Sequence, residues 1–245
     1  MSFLHESYPI NQYTVFIKKT IMKRFFLKAV PLLILFISTS CSNDELIYSC
    51  DAEVDKWAKS NLELLKTMEV SEFLTLETEA QRASFRAFSP EQRLRVWINK
   101  MDQVLTLEWN DIEKEHIRLL KSIFIENAIV YSLEATEEDK DAFRVLGYKW
   151  VKYATEVLDW DPRLVGAIAG NPNILLNKQG TLKIENNGLT KVKTRSEKTC
   201  DCNDDYWIWH DCGVYKSCGW GGNDCDKTFM GCGLSWLDPC VALCQ

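Results

Sequence analysis

The sequence predicts a mainly α protein: an exported helical-bundle domain followed by a small, disulfide-rich, loop-rich C-terminal module. Three observations predict it. Apolar residues recur at three- and four-residue steps across 51–170, with helix-cap signals where the period restarts. Eight of the ten cysteines fall within 200–245, a segment too short to bury a sufficient apolar core of its own. Near the N-terminus a basic stretch precedes an apolar run, which is the pattern of an export signal.

That signal begins at Met22, where MKRFFLK supplies the basic region and AVPLLILFI an apolar stretch too short to span a bilayer as a stable helix. Residues 22–40 therefore read as a signal peptide. Residues 1–21 sit ahead of it without a matching pattern, so they are expected to be untranslated, with the start at Met22, or disordered. The run closes with Ile37-Ser38-Thr39-Ser40-Cys41, which resembles the lipobox of bacterial lipoproteins. The resemblance implies that Cys41 becomes the lipidated N-terminus and anchors the chain in its own outer membrane. Residues 41–50 form the tether, and Ser42-Asn43-Asp44-Glu45 is similar to the acidic surface-export tag of some Gram-negative lipoproteins.

The helical domain is expected over 51–170. Val54, Trp57, Ala58, Leu62, Leu65 and Met68 lay one apolar stripe along a first helix. Ser89-Pro90-Glu91-Gln92 gives an N-cap, a proline at the first helical position and a capping-box glutamine, opening a helix with Leu94, Trp97, Ile98, Met101, Val104 and Leu105 as its core face. Asn110-Asp111-Ile112-Glu113 repeats the signal for a helix through Ile117, Leu120, Ile123, Phe124, Ala128 and Tyr131. Thr136-Glu137-Glu138-Asp139 opens another carrying Phe143, Leu146, Trp150, Tyr153 and Val157. Asp161-Pro162 caps a short last helix, and Gly170-Asn171-Pro172 marks the edge of the domain.

Little in this domain points to catalysis. No nucleophile elbow, phosphate loop or zinc-protease motif is present, so no catalytic residue, metal or cofactor is assigned and the chain reads as a non-enzyme. Glu113, Glu115, Glu137 and Glu138 fit a solvated helix face with local ion pairs. His116 lacks a second histidine at ligand spacing and is expected at the surface. Trp57, Trp97, Trp109, Trp150 and Trp160 are expected to fill the core. The formal net charge is −6 with signs mixed along the chain, and no basic stripe with interleaved aromatics appears, which argues against a nucleic-acid partner.

Residues 171–199 form a basic linker, with Lys178, Lys183, Lys191, Lys193, Arg195 and Lys198 against Glu185 and Glu197. Its polar 191–198 stretch offers sites to a trypsin-like protease, and a plain flexible tether explains it equally well. The module beyond is acidic and holds Cys200, Cys202, Cys212, Cys218, Cys225, Cys232, Cys240 and Cys244. Zinc ligation is the rival reading, but the gaps are irregular and the one nearby histidine is His210, so a disulfide framework fits an exported chain better. Eight cysteines allow 105 pairings, which spacing does not narrow. With Cys41 lipidated, Cys50 is the odd thiol, expected free or in an intermolecular bridge. Trp207, Ile208, Trp209, Trp220, Phe229 and Trp236 are many large apolar groups for so small a module. Trp207, Trp209, Trp220, Phe229 and Trp236 are the candidate contacts to a membrane or receptor, packing against the bridges being the other reading.

The tail opens with Cys200-x-Cys202, has a middle pair, then Gly231-Cys232-Gly233 followed by Trp236, and closes with two cysteines. This pattern, behind a leader and a helical segment, resembles the bacteriocin fulvocin C-related family over most of the mature chain. The resemblance implies four disulfides among the eight tail cysteines and an antibacterial module carried by a larger exported precursor. The implied partner is an envelope component or the membrane of a target bacterium. The acidic tail departs from the cationic attraction to anionic lipid that many membrane-active peptides use. A surface-anchored adhesion or glycan/peptide-binding lipoprotein is the alternative.

Overall fold

The computed structural model describes residues 46–183, 200–201, 218–219, 228–239 and 242–244. Among these, eight α-helices run in the order α1 (Ala52–Ser60), α2 (Leu62–Thr67), α3 (Val70–Phe73), α4 (Thr78–Ala87), α5 (Pro90–Val104), α6 (Asp111–Glu126), α7 (Glu137–Glu156) and α8 (Pro162–Ala169). The mainly α expectation holds for these residues. No helix among them is long and apolar enough to cross a membrane.

The local signals at the helix starts are reproduced atom for atom. Ser89 Oγ accepts from Gln92 N at 3.3 Å while Gln92 Oε1 accepts from Ser89 N at 3.0 Å, and Pro90 occupies the first helical position. Asn110 with Glu113 and Thr136 with Asp139 close the same reciprocal box, and Asp161 Oδ1 accepts from Arg163 N at 2.8 Å. Each box satisfies amide groups that the first helical turn leaves without partners.

The first apolar stripe is broken into two helices. Asn61 ends α1, its side-chain amide donating to the Trp57 carbonyl at 2.7 Å, and α2 restarts behind it. Val54, Ala58 and Leu65 still face the core. α5 is the central helix, packed against α3, α6, α8 and the 3-10 turn Ala128–Tyr131, while α7 lies against α6 and α8. Trp97, Met101, Ile117, Leu120, Phe124, Trp150 and Ile168 form the middle of the core. Of the five tryptophans expected there, Trp97, Trp109, Trp150 and Trp160 are buried and Trp57 packs against the core's edge.

α4 has a burial pattern that no period describes. Every residue from Ala80 to Arg86 is buried, including Gln81, Arg82, Ser84 and Arg86. A helix buried all round is normally apolar all round; here Gln81 Nε2 donates to Asn173 Oδ1 at 2.9 Å and the Arg86 guanidinium to the Tyr48 and Met230 carbonyls, while Ser84 Oγ has no hydrogen-bond partner among the described residues.

The stretch expected as a basic linker opens with structure. β1 (Ile174–Leu175) pairs antiparallel with β2 (Leu182–Lys183) in a hairpin that packs on α5. Gln103 clamps the Leu175 backbone from both sides, donating to its carbonyl and accepting from its amide at 2.8 Å each. Gly180 has φ +80°, and a Cβ there would come 2.9 Å from the Arg163 carbonyl oxygen. The helical domain's packing thus runs past Gly170 to Lys183; residues 184–199, with the expected protease sites, lie outside the described residues.

In the tail, β3 (Cys200–Asp201), β4 (Cys218–Gly219) and β5 (Ala242–Cys244) form an antiparallel sheet in the order β3-β5-β4. Its register sets Cys200 opposite Leu243 and Cys218 opposite Cys244. Glu45–Gln245 is one compact unit.

Candidate functional site: the seat of the C-terminal loop

The most informative site is where residues 228–239 enter the helical domain. This loop closes on itself: Gly231 N donates to Trp236 O at 2.8 Å, and Cys232 and Asp238 exchange backbone hydrogen bonds at 3.0 and 2.9 Å. Within it the 3-10 turn Leu234–Trp236 carries Ser235 at φ 49° and Trp236 at φ 58°. Left-handed backbone at two non-glycine residues costs free energy and persists only where the surroundings enforce it. Those surroundings are the helical core.

Trp236 is 2% exposed. Its ring meets Phe85 edge-on at 5.5 Å and lies 6.4 Å from both Phe73 and Trp97, so the loop's one indole joins α3, α4 and α5. Its Nε1 donates to the Gly170 carbonyl at 2.9 Å, and the Arg82 guanidinium stands 5.9 Å over the ring. Met230 and Leu234 are buried beside it. Leu234 packs on α7 at Gly147, where a Cβ would fall inside van der Waals contact with the leucine Cδ2. At the rim, Asp238 pairs with Arg144 at 3.3 Å; burial raises the Asp238 pKa and the arginine opposes that rise.

Beneath the loop lies a row of buried basic side chains spaced seven residues apart, Arg86, Arg93 and Lys100. Each donates to backbone carbonyl oxygens. Arg86 donates from Nη1 to Tyr48 O at 2.6 Å and from Nε to Met230 O, so one guanidinium holds the tether and the tail together. Arg93 donates to Phe85 O at 2.9 Å and to Arg86 O and Tyr131 O at 2.6 Å each. These carbonyls end α4 and the 3-10 turn, where the helix leaves acceptors unpaired and the macrodipole favours a cation. Burial lowers the Arg93 pKa to about 10. Lys100 donates to Asn173 O, and burial lowers its pKa to about 7.

One contact residue expected from the sequence is therefore placed otherwise. Trp236 is a core residue of the helical domain. Phe229 is half-buried against that core, its ring 5.7 Å from the Arg93 guanidinium carbon. Trp207, Trp209 and Trp220 lie outside the described residues, as do Cys41, Cys202, Cys212, Cys225 and Cys240. Cys50 and Cys232 are each disulfide-bonded. The expectation of a free or intermolecular Cys50 gives way to a bridge within one chain, because the segment 46–50 folds back on α1, with Tyr48 N held by Asp55 Oδ1 at 2.7 Å.

His116, expected at the surface, is 6% exposed in an aromatic box of Trp150, Tyr153 and Trp160, with ring distances of 4.8, 4.9 and 5.7 Å. It forms part of the floor of a groove of about 520 Å³ between α6 and α7, whose walls are Ile112, Leu119, Ile123 and Leu146. Glu115, Glu126 and Lys149 edge the groove. Its size is that of sites that hold small apolar ligands or side chains of a bound segment. Among the described residues no cluster of three or more histidine, cysteine or acidic side chains could hold a metal ion.

The seat and the buried basic side chains escaped the sequence reading. The available signal was Arg93 and Lys100 falling on the face shared by Val96, Trp97 and Met101, where a cation is out of place unless a carbonyl awaits it. No family model matches the chain, and neither a curated protein nor a solved structure matches it.

Proposed function

We propose that this chain is an exported lipoprotein of the bacteriocin fulvocin C-related kind, in which the helical domain carries a disulfide-stapled antibacterial module and presents it at the bacterial envelope. The cysteine pattern of 200–245 supports the module's kinship, and the lipobox-like run ending at Cys41 supports an anchor in the cell's own outer membrane. The observation that carries the mode of action is the burial of Trp236 between Phe73, Phe85 and Trp97. A module seated by its own tryptophan in its carrier is held there after a cut at 191–198, so the tail acts while attached, on contact with a neighbouring cell. The reading is non-enzymatic and needs no cofactor; the partner is a component of the target's envelope.

A second reading, a surface adhesion or glycan/peptide-binding lipoprotein, draws on the groove between α6 and α7, where Ile112 and Leu119 are 62% and 51% exposed. One experiment separates the two. Producer cells displaying the full chain, a deletion strain and the purified oxidised chain are tested against a panel of related bacteria. Killing that requires contact and disappears with the deletion supports the antibacterial carrier. Unimpaired targets that nonetheless adhere to producers, with adhesion lost in Leu119→Glu, replace it with the binding reading.

A further inference from the structure

We infer that the disulfide of Cys50 ties the front of the helical domain covalently to the cysteine-rich tail. The Arg86 guanidinium takes the Tyr48 carbonyl on Nη1 and the Met230 carbonyl on Nε, which sets the two backbones side by side. Cys50 stands two residues beyond Tyr48 and Cys232 two residues beyond Met230. Two residues of extended chain span about 7 Å and a disulfide joins Cα atoms roughly 4.4–6.8 Å apart, so the thiol of Cys50 lies within reach of tail backbone.

The segment around Cys50 is fixed in that place. Asp55 Oδ1 accepts from the amides of Tyr48 and Ser49 at 2.7 and 3.4 Å, Asp51 caps α1, and Ser49 is buried. Cys50 is itself disulfide-bonded. Outside the tail the chain has one other cysteine, Cys41, and the lipoprotein reading converts that thiol to a thioether. On that reading, which this step rests on, the partner is one of the eight tail cysteines.

Two consequences follow. Ten cysteines less Cys41 leave nine thiols, an odd number, so a Cys50 bridge to the tail leaves one tail cysteine unpaired in the mature protein. The tail is also held twice, by the seat of Trp236 and by a covalent bond, so a cut within 184–199 alone does not free it. The bond forms as two thiols give up two protons and two electrons to a protein disulfide oxidant of the exporting compartment, which is left as a dithiol. Thiol–disulfide exchange with a reduced partner reverses it.

The test is non-reducing peptide mapping by mass spectrometry of the full-length protein isolated from its native membrane, digested at acid pH after alkylation of free thiols. The expected result is the Cys50 peptide joined to a peptide from 200–245, and one alkylated tail cysteine per chain. A Cys50 peptide that is alkylated, or joined to Cys41, overturns the inference. The same map reads the mass of the N-terminal peptide, so failure of the lipid anchor is seen separately: an unmodified Cys41 with Cys50 still joined to the tail upholds the cross-link and removes only the anchor.

Discussion

His116 and Trp150 bond to each other twice. Trp150 Nε1 donates to the His116 carbonyl at 2.8 Å, and His116 Nε2 lies 3.0 Å from the Trp150 carbonyl, with the two rings stacked at 4.8 Å and 5°. A carbonyl only accepts, so Nε2 carries the proton of the neutral imidazole. The pair joins α6 to α7 at the floor of the groove.

The histidine makes stability pH-dependent. Burial lowers its pKa, against the smaller upward pull of the Trp150 carbonyl. As pH falls below the ordinary histidine value of about 6.5, the unfolded chain takes up a proton before the folded one does. This contribution is therefore full above pH 6.5 and is lost as pH falls toward the depressed folded pKa. His116→Phe keeps the stack and removes the titration; it is expected to cost about 1 kcal/mol at pH 8 through the lost hydrogen bond, with the deficit shrinking toward pH 5. Melting curves from pH 5 to 8 check this, and parallel profiles for the two proteins would refute it.

Trp236 decides whether the tail is an independent module. Its ring fills the space between α3, α4 and α5, so Trp236→Ala is expected to destabilise the helical domain by about 3–5 kcal/mol, in the range of buried aromatic truncations. Urea unfolding followed by far-UV circular dichroism reads the helices directly. A helical transition that keeps its midpoint would mean that the loop rests on the domain without supporting it.

Gly147 and Leu234 give a sharper test of the seat. α7 gains helix propensity from Gly147→Ala, worth about 1 kcal/mol in an exposed helix. Here the new methyl meets the leucine Cδ2, and the expected net effect is a loss. In the background of Leu234→Ala the obstacle is gone and Gly147→Ala should be neutral or stabilising. The double-mutant cycle measured in urea is expected to give a coupling of about 1 kcal/mol or more between these residues. A value near zero would separate the loop from α7.

What the sequence made legible was local. The boxes at Ser89, Asn110 and Thr136 are written in three or four adjacent residues whose side chains meet their own backbone, and each formed as read. α4 was illegible because its buried residues include Gln81, Arg82, Ser84 and Arg86, which hydropathy assigns to solvent. The arrival of Tyr48, Asn173, Met230 and Trp236 from distant parts of the chain gives Arg86 and Gln81 hydrogen-bond acceptors and covers Arg82. The same non-local contacts moved Trp236 from a candidate surface to the core. They were also beyond the reach of cysteine spacing, which counts thiols without saying which backbones lie side by side.

Lys100 carries the last prediction. It sits on the core face of α5, 2% exposed, donating to the Asn173 carbonyl that precedes β1. Burial lowers its pKa from 10.5 to about 7, so between those values the unfolded chain is protonated and the folded one is largely neutral. A depressed pKa means that this contribution to stability is complete above the unfolded value and is lost as pH falls toward 7. Lys100→Met removes the titration and leaves Asn173 O without its donor, an offset of about 1–3 kcal/mol that does not vary with pH. The stability of the natural protein relative to the variant is therefore expected to rise from pH 7 to 10, by at most about 1.4 kcal/mol per pH unit, and to level off below 7. Urea midpoints at pH 6, 7, 8, 9 and 10 separate slope from offset. A constant gap across the series would mean that Lys100 stays charged in the folded protein, with the Asn173 carbonyl and the dipoles around it compensating its burial.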